Sequence, residues 1–412
     1  MGELYGHEVV EMIGTGEARS VEHEHEHQAV QIRPEHESCL LEVFKTIDVE
    51  PVRGEGVYLY DARGRRYLDF YGGHAVALLG NTHRGWQEAL RAQAEALIFQ
   101  SNLVPLRVRE NAAARLLAFG PPGLSKVFFV NSGAEANENA LRMAFLATRR
   151  SKVVCVQGGF HGRSCAAAAV TSGHETWYAF PHAPFEVVRV PFDDVEALHK
   201  AVHGDTAACI LEPVQGMAGA RPLSTAFLRA ARERTEETGT VLIFDEVQCG
   251  MGRTGYPFAA QSVGIVPDIL TTAKGLAGGY PAGALMCTES LSRAVHHGDL
   301  GTTFGGGPLP CALIVAVLDA IATEDLLASV RRLSARLMNE CVTGPVEGVQ
   351  GLGFLLGLRT RPPAAAVIAA LRERRILVGG STDPHVVRLL PPLVLQDEHV
   401  DILVHALKEL SC

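Results

Sequence analysis

The sequence predicts an α/β fold, with a mostly parallel central sheet in a large domain and a smaller α+β domain. The first observation is alternation, because short apolar runs and amphipathic stretches follow one another between residues 127 and 244. Strands of a buried parallel sheet give near-continuous apolar runs, and helices connect them. The second observation is size, since 412 residues exceed what one ordinary core holds. We therefore expect a globular protein of two domains.

The individual elements follow this alternation along the chain. From residue 52, the run VRGEGVYLYDARGRRYLDF predicts a β-meander with turns at 54–56 and 62–64. The elements predicted after it are helices 86–97 and 110–119, strand 127–130, helix 134–148, strands 153–156 and 207–211, helix 225–239, strand 240–244, and helices 310–323, 326–341 and 363–374. The strand-rich tail that contains the last of these helices would be the smaller domain.

These patterns divide the chain into four regions. They are a flexible acidic and His-rich segment 1–37, a segment 38–75 that packs with the small domain, a large domain 76–307 and a small domain 308–412. The first region contains EHEHEH, and a metal site of His23, His25 and His27 is one interpretation. Alternating side chains share a face only in a strand, so we expect a solvated acidic segment and no metal site.

Composition argues against several classes of protein. The net charge of −9 leaves no basic face for nucleic acid. No apolar stretch reaches the ~18–20 residues that span a bilayer, and the N-terminus lacks the basic and apolar regions of a signal peptide. The nine cysteines contain no C-x-x-C pair, and four lie in or beside apolar runs, as reduced thiols do: Cys155, Cys209, Cys249 and Cys287. We expect a cytoplasmic protein without membrane or nucleic-acid partners.

One lysine, Lys274, stands among small residues in TTAKGLAGG (271–279), after an apolar, strand-like segment. Asp245 closes the apolar run VLIF of another predicted strand. A pyridoxal phosphate site has two anchors: a lysine that binds the cofactor covalently and an acid that keeps its pyridine nitrogen protonated. Taken singly, Lys274 could be an exposed loop lysine, and Asp245 could be a surface carboxylate or a helix cap.

Further groups stand near predicted strand ends, where open parallel sheets place their ligands. In VFFVNSGAEANENA, Ser132 precedes a helix and Glu135 follows three residues later, as in a capping box. The free N–H groups of such a turn suit a phosphate, although a plain N-cap has the same pattern. Phe160 in QGGFHGRS could stack on a cofactor ring or belong to the core. The run GTTFGGG (301–307) offers hydroxyls and amides to a phosphate.

Nucleotide-binding folds are poor alternatives. The run GLGFLLG (351–357) misses the G-x-G-x-x-G spacing by one residue and lies after the α/β region. The phosphate loop G-x-x-x-x-G-K-[ST] is absent from the sequence. We therefore reject a dinucleotide-binding protein and an ATPase.

The collinear motifs resemble those of the class III (subgroup II) aminotransferases, most closely the acetylornithine and ornithine aminotransferases, from about residue 40 to 410. This resemblance implies the fold type I architecture of pyridoxal phosphate enzymes. It also implies a homodimer with active sites at the subunit interface, and ping-pong transfer of an amino group. The motifs that carry it are FVNSGAEANENALRMA, FHGRS, LEPVQGMAG, LIFDEVQCGMGRTG, PDILTTAKGLAGGYPAGA, GTTFGGGPLPCA and VVRLLPPLV.

Carried over by position, the resemblance implies that Lys274 binds pyridoxal 5'-phosphate covalently and shuttles the reacting proton. Asp245 would pair with the pyridine nitrogen. Phe160 and Val247 would pack on the two ring faces, with Gln248 near the ring hydroxyl and Glu212 at the border of the ring. The phosphate would be bound by the 132–134 turn (Ser132, Gly133 and Ala134) and by Thr303 from the partner subunit.

The resemblance also implies a substrate site with two arginines. Arg388 in VVRLLPP would bind a substrate carboxylate, and Arg163 in FHGRS would bind the amino-acid end of a longer substrate. The sequence departs from the family pattern at Met217, where a glutamate normally stands in EPxQGE. Asn81, Arg84 and Gly307 replace a family His, Pro and Asn. The Met217 change bears on the substrate, because that glutamate normally pairs with the arginine at position 388.

The resulting expectation is transfer of the terminal amino group of an acylated ornithine- or lysine-like donor to 2-oxoglutarate, which gives a semialdehyde and glutamate. A donor attached to an amino-group carrier protein is a close variant. A broader ω-amino acid or amine aminotransferase of specialised metabolism is the main alternative. A pyridoxal phosphate-dependent racemase or epimerase on the same scaffold is another, and it would form no glutamate from 2-oxoglutarate.

Overall fold

The computed structural model describes residues 40–410. The predicted segment 1–37, with His23, His25 and His27, lies outside the described residues. The chain divides into two units, Met1–Asp48 and Val49–Cys412. In the first unit, the described residues 40–48 form no helix or strand. All elements given below belong to the second unit.

Every predicted helix and strand is present, with ends within three residues of those predicted. The strands are β1 (Pro51–Glu55), β2 (Tyr58–Asp61), β3 (Arg66–Asp69), β4 (Leu124–Val130), β5 (Lys152–Val156), β6 (Glu186–Val190), β7 (Thr206–Leu211), β8 (Val214–Gln215), β9 (Arg221–Pro222), β10 (Val241–Asp245), β11 (Ile269–Thr272), β12 (Gly283–Thr288), β13 (Val346–Leu352), β14 (Leu355–Thr360), β15 (Ile376–Leu377) and β16 (Val386–Leu389).

Several helices begin at a residue whose side chain caps them. For example, the Ser224 hydroxyl accepts the N–H of Phe227 at 3.1 Å at the start of one helix, and Gly239 ends it with a φ of 64°. The helices are α1 (Gly72–Ala75), α2 (Arg84–Ala96), α3 (Arg107–Phe119), α4 (Gly133–Thr148), α5 (Cys165–Ala169), α6 (Val195–Ala201), α7 (Thr225–Thr238), α8 (Ala259–Val263), α9 (Glu289–Ser292), α10 (Pro308–Thr323), α11 (Leu326–Glu340), α12 (Ala364–Glu373) and α13 (Asp397–Glu409).

The central sheet has seven strands in the order β4-β12-β11-β10-β7-β5-β6. All neighbouring pairs are parallel except the two that contain β12. A parallel return needs a long crossover, whereas β11 and β12 are joined by a short loop with one 3-10 turn, so β12 returns antiparallel. The prediction of a mostly parallel α/β sheet is confirmed.

Side chains of the central sheet alternate between two packed faces. Along β10, Leu242 and Phe244 join the core that contains α7 and α10, while Val241 and Ile243 join the core beside α4. All four are buried, Val241 at 6% exposure and the others at 0%. Burial on both faces is why the parallel strands read as unbroken apolar runs.

Of two smaller sheets, one joins the first and last parts of the unit and the other lies within the last part. The order β1-β2-β3-β15 includes a parallel pair between Leu68 and Ile376. The antiparallel order β13-β14-β16 pairs Gly357 with Arg388. A Cβ on Gly357 would lie 2.2 Å from the carbonyl oxygen of Gly219, so glycine allows the β8–β9 hairpin to pack on this sheet. Among residues 40–410, no helix has both the length and the apolar character needed to cross a membrane.

Candidate active site

A cavity of about 470 Å³ lies at the carboxyl ends of the central strands. The turn after β4, the last residue of β10 and the turn after β11 all reach it, as expected for a parallel sheet. The predicted site residues that line it are Ser132, Gly133, Ala134, Phe160, Arg163, Asp245, Val247 and Lys274. Side chains far apart in sequence therefore share one cavity because their strands are neighbours.

Asp245 is held by three hydrogen-bond donors at the end of β10. Its Oδ2 accepts a bond from Asn137 Nδ2 at 2.7 Å and from His161 Nδ1 at 2.8 Å, and its Oδ1 accepts the N–H of Val247 at 3.0 Å. The Asp245 side chain is 3% exposed. A buried carboxylate is costly unless it is paired and hydrogen-bonded, and these donors keep the charge on Asp245 directed into the cavity.

The donors to Asp245 are themselves fixed. Asn137 Nδ2 also donates to the carbonyl of His161 at 2.8 Å, and its Oδ1 accepts the Thr271 hydroxyl at 2.7 Å. The His161 ring is fully buried, and its Nε2 has no hydrogen-bond partner among the described residues. Because Asp245 can only accept when ionised, His161 Nδ1 carries the hydrogen. The arrangement is a rigid support for one carboxylate.

Lys274 begins a 3-10 helix, Lys274–Ala277, directly after β11. Its φ of 47° is in the left-handed region, which side-chain-bearing residues rarely adopt, and such strain is typical of functional positions. Burial lowers the pKa of the Lys274 amine, while the charges of Asp245 and Glu212 oppose that shift. A lowered pKa makes the neutral, nucleophilic amine more accessible near neutral pH.

The turn before α4 exposes backbone donors to the cavity. The Ser132 hydroxyl accepts the N–H of Glu135 at 3.2 Å, and Glu135 Oε2 accepts the N–H of Asn131 at 2.6 Å. The predicted capping box is thus shifted, because the acid reaches one residue before the N-cap. A Cβ on Gly133 would lie 2.7 Å from Val247 Cγ1, so glycine is needed for this close approach. The helix start suits an anion.

Glu212 lies behind Phe160. Its Oε1 accepts the N–H of Phe160 at 2.8 Å, and its Oε2 accepts the N–H of Gly216 at 3.2 Å. Burial, with the charge of Asp245, raises the pKa of Glu212 to about 7. The carboxyl therefore fixes the backbone that presents the Phe160 ring to the cavity and connects this segment to the β8–β9 hairpin.

Arg388 is 1% exposed and is held by neutral acceptors. Its Nε donates to the carbonyl of Gly380 at 2.5 Å, and its Nη1 lies 3.3 Å from both the Gly216 carbonyl and Gln248 Oε1. Gln248 was predicted near a ring hydroxyl, and here it contacts the guanidinium. Met217 follows Gly216 in the chain, and its carbonyl accepts the N–H of Thr382 at 2.9 Å. Burial lowers the pKa of Arg388.

Arg163 and Thr303 are the exposed members of the predicted site. The Arg163 guanidinium stacks over the Trp177 ring at 4.8 Å from its centroid while it lines the cavity. Thr303 does not line the cavity of its own chain. The neighbouring Thr302 hydroxyl instead accepts Asn131 Nδ2 at 3.3 Å, which ties the 301–307 loop to the turn before α4.

Several site residues were not predicted from the sequence. Asn137 and His161 stand inside quoted motifs, but nothing in their spacing indicates a contact with Asp245. The cavity is also lined by residues of the loop after Lys274 and by the residue that follows α1: Gly279, Tyr280, Pro281, Ala282 and Val76. Residue type alone gives no signal for the last five, because small and apolar residues line most loops.

These groups fit pyridoxal phosphate. An anion site, two apolar walls, a buried carboxylate and an amine with a lowered pKa surround one cavity, and the glycine at position 133 leaves its helix start open. Among residues 40–410, no three His, Cys, Asp or Glu side chains form a metal-binding group. A lysine and a buried acid at one cavity suit chemistry on an organic cofactor.

Known proteins resemble this chain both in sequence and in fold. The sequence model of the class-III aminotransferases matches residues 43–410. The chain is 43% identical over 377 residues to the acetylornithine aminotransferase of Streptomyces coelicolor, covering 90% of this chain and 93% of that protein. It is 37% identical to that of Methanocaldococcus jannaschii, covering 90% and 95%. The ornithine aminotransferase structure from Toxoplasma gondii ME49 superposes with a TM-score of 0.84 at 28% identity, covering 90% and 91%.

Proposed function

The chain belongs to the class-III aminotransferases, with fold type I and pyridoxal 5'-phosphate as cofactor, and on that premise we propose its substrates. It transfers the terminal amino group of an acylated ornithine- or lysine-like donor to 2-oxoglutarate, which gives a semialdehyde and glutamate. The observation that carries this proposal is a pair of guanidinium groups near Lys274: Arg163 lines the same cavity, and the charge of Arg388 acts on the Lys274 amine. Two cations suit a dicarboxylate such as 2-oxoglutarate.

Each residue has a distinct part in this proposal. Lys274 binds the cofactor and moves the proton, and Asp245 holds the pyridine nitrogen protonated. When bound, the cofactor supplies an electron sink for cleavage of a bond next to the amine. The 132–134 turn binds the phosphate, and Phe160 and Val247 enclose the ring. Glu212 positions Phe160 through its backbone.

The substrate ends are assigned to the two arginines. Arg388, buried and fixed by carbonyl groups, binds the α-carboxylate of glutamate. Arg163, exposed and stacked on Trp177, binds the far carboxylate of glutamate or the amino-acid end of the donor. Trp177 extends the apolar surface beyond Arg163, which favours a donor with an acyl group. Related proteins named acetylornithine aminotransferases support the same donor class.

A broader ω-amino acid or amine specificity is the second candidate, and Met217 favours it. Methionine has no charge to neutralise Arg388 when the donor binds, so the donor site would accept donors of different charge. A panel of acylated ornithine, acylated lysine, free ornithine and simple ω-amines, each with 2-oxoglutarate or pyruvate, separates the candidates. We expect glutamate to form fastest from an acylated donor. Equal rates with all amines, or alanine as the main product, would favour the broader enzyme.

We also propose a homodimer in the cytoplasm. The described surface carries a group of exposed apolar side chains, Leu97, Ile98, Phe99, Leu103, Val104 and Phe304, here called the 97–104 patch. Phe99 and Phe304 pack with ring centroids 5.6 Å apart, next to the exposed Thr303. Such patches are typical of subunit interfaces, and this one would carry Thr303 to the partner's phosphate site. Free buried cysteines support a reducing compartment.

Subunit exchange tests the shared site. Lys274→Ala and a Thr303→Ala, Phe304→Ala loop variant should each be nearly inactive. Mixed dimers should regain about one competent site, because one protomer supplies an intact lysine and the other an intact loop. No recovery despite exchange confirmed by mass spectrometry would mean that each site is built from one chain.

A further inference from the structure

Arg388 raises a physical problem when no carboxylate is bound. Among the described residues no acid pairs with it, and its hydrogen bonds go to two carbonyls and one amide oxygen. Its Nη2 makes no hydrogen bond to a described residue. A buried cation with open donors is unfavourable, so some neutral acceptor is expected to face it during the donor half of the reaction.

Tyr71 lies against the backbone opposite Arg388. A Cβ on Gly379 would be 2.3 Å from Tyr71 Cε2, so the Tyr71 ring covers this glycine. Gly379 and Arg388 are bridge partners, with N–H to carbonyl distances of 3.0 and 2.7 Å. Side chains of paired residues start about 5 Å apart and point to the same face, so the Tyr71 ring lies on the face from which the Arg388 side chain projects. The two groups also perturb one another's pKa, Tyr71 downward and Arg388 upward, against larger effects of burial.

The Tyr71 hydroxyl contacts the His74 ring. The phenol oxygen lies 2.6 Å from His74 Nδ1 and 2.5 Å from Nε2, and the rings are 4.6 Å apart. The His74 side chain is exposed on one side. Burial of the other side, with the charges of Arg388 and Lys274, lowers the pKa of His74 to about 4. The ring is thus neutral near pH 7 and has one nitrogen that accepts a hydrogen bond.

The backbone around the pair is held in a strained shape. Residues 72–75 all have positive φ, and two of them, His74 and Ala75, are not glycine. Asp69 Oδ1 fixes the turn by accepting the N–H groups of Tyr71 at 2.8 Å and Gly72 at 2.9 Å. A Cβ on Gly72 would lie 2.8 Å from the Leu390 carbonyl, just past β16. Strain of this kind persists where its surroundings enforce it, often beside a functional group.

From this geometry, and on the proposed function, we propose that Tyr71 and His74 form a neutral mask for Arg388 that sets the preference between carboxylate and amine substrates. His74 accepts the hydroxyl hydrogen of Tyr71, which leaves the phenol oxygen free to accept from the guanidinium. A substrate carboxylate displaces the phenol, whereas a donor with no carboxylate at that end leaves it in place. Tyr71 and His74 are thus positioning and specificity residues for the reaction.

Glutarate binding to the holoenzyme tests the mask, because glutarate has two carboxylates but no group that can react. Tyr71→Phe removes the phenol oxygen and should tighten the glutarate Kd, measured by calorimetry, by ~3–10-fold. The ratio of donor kcat/KM to glutamate kcat/KM should fall by a similar factor. His74→Gly keeps the left-handed backbone and should shift both quantities in the same direction but less. Tyr67→Phe is the matched control, since that hydroxyl meets Asp61 at 3.4 Å.

The outcomes separate this inference from the proposed function. Arg388→Gln should abolish glutarate binding and so show that the probe reports on Arg388. If Tyr71→Phe, with an unchanged melting temperature, leaves the glutarate Kd and the ratio as in the parent, the mask does not exist. If the parent forms no glutamate from any donor, the proposed function fails, while the glutarate comparison still decides whether Tyr71 covers Arg388.

Discussion

The site has two parts, here called the Asp245 end and the Arg388 end, which are held in different ways. Asp245 lines the cavity, whereas Arg388 acts on Lys274 through its charge. At the Asp245 end, the groups come from strand ends and turns of a single sheet, and the carboxylate has three donors fixed by further hydrogen bonds. At the Arg388 end, the groups come from the small sheet, the β8–β9 hairpin and a left-handed turn, and the cation meets only neutral acceptors. The first arrangement keeps one charge in one place. The second leaves a charge that different substrates could meet, as the proposed transfer between two substrates requires.

The largest effect should come from the residue that joins the two ends. Lys274→Ala should reduce turnover by several orders of magnitude, because it removes both the covalent attachment and the proton carrier. The cofactor should remain bound without a covalent link. Borohydride reduction and peptide mapping of the parent should place the label on Lys274. Lys126→Ala is the control, an exposed lysine 3.8 Å from Glu289. A label on Lys45 or Lys152 would contradict the assignment.

Asp245→Asn removes the negative charge at the Asp245 end and should leave the phosphate site unchanged. The amide cannot hold the pyridine nitrogen protonated, and its Nδ2 would face a donor at Asn137 or Val247. Turnover should fall by ~10²-fold or more, while the cofactor stays bound through the 132–134 turn. Equilibrium dialysis of the cofactor beside steady-state rates measures the two effects. Near-parental turnover would mean that another group pairs with the nitrogen.

Met217→Glu adds an acid to the Arg388 end, where no described acid pairs with Arg388. The new side chain would start one residue after Gly216, whose carbonyl accepts from Arg388 at 3.3 Å. The kcat/KM for an ω-amino donor should rise relative to that for glutamate by ~1.5–3 kcal/mol, the value of a charged hydrogen bond. Met217→Gln, similar in length but uncharged, is the control. An unchanged or reversed ratio would show that position 217 does not act on Arg388.

The smallest effect concerns the pH dependence of stability. The pKa of His74 is lowered to about 4 in the folded protein, below its ordinary value of 6.5. The unfolded chain therefore takes up a proton first, so this group favours folding above pH 6.5 and that contribution is lost as the pH falls toward 4. The melting temperature of the parent should fall more steeply over this interval than that of His74→Gly. Parallel curves would mean that His74 is not shielded in the folded state.

Most features of the Asp245 end could be predicted from the sequence, because they depend on neighbouring residues. Apolar runs that end in Asp245 or precede Lys274 are visible in the sequence, and strand ends of one sheet must meet at one edge. Ser132 can also be recognised as a helix cap from the sequence, because a cap depends on the residues next to it. The mostly parallel sheet, the family and the cofactor are all confirmed. The domain bounds and the roles of the individual site residues stay predictions.

Only the tertiary structure decided which distant groups meet. Asn137 and His161 reach Asp245 through the packing of α4 and a loop on the sheet, and no period in the sequence encodes that contact. Gly379 admits the ring of Tyr71, which lies about 300 residues earlier in the chain, and Gly379 is also the bridge partner of Arg388. The sequence alone determines elements and their ends, because hydrogen bonding along the backbone and hydrophobic periodicity are local. The surroundings of Arg388 depend on how separate segments pack, and that packing arises only in the folded chain.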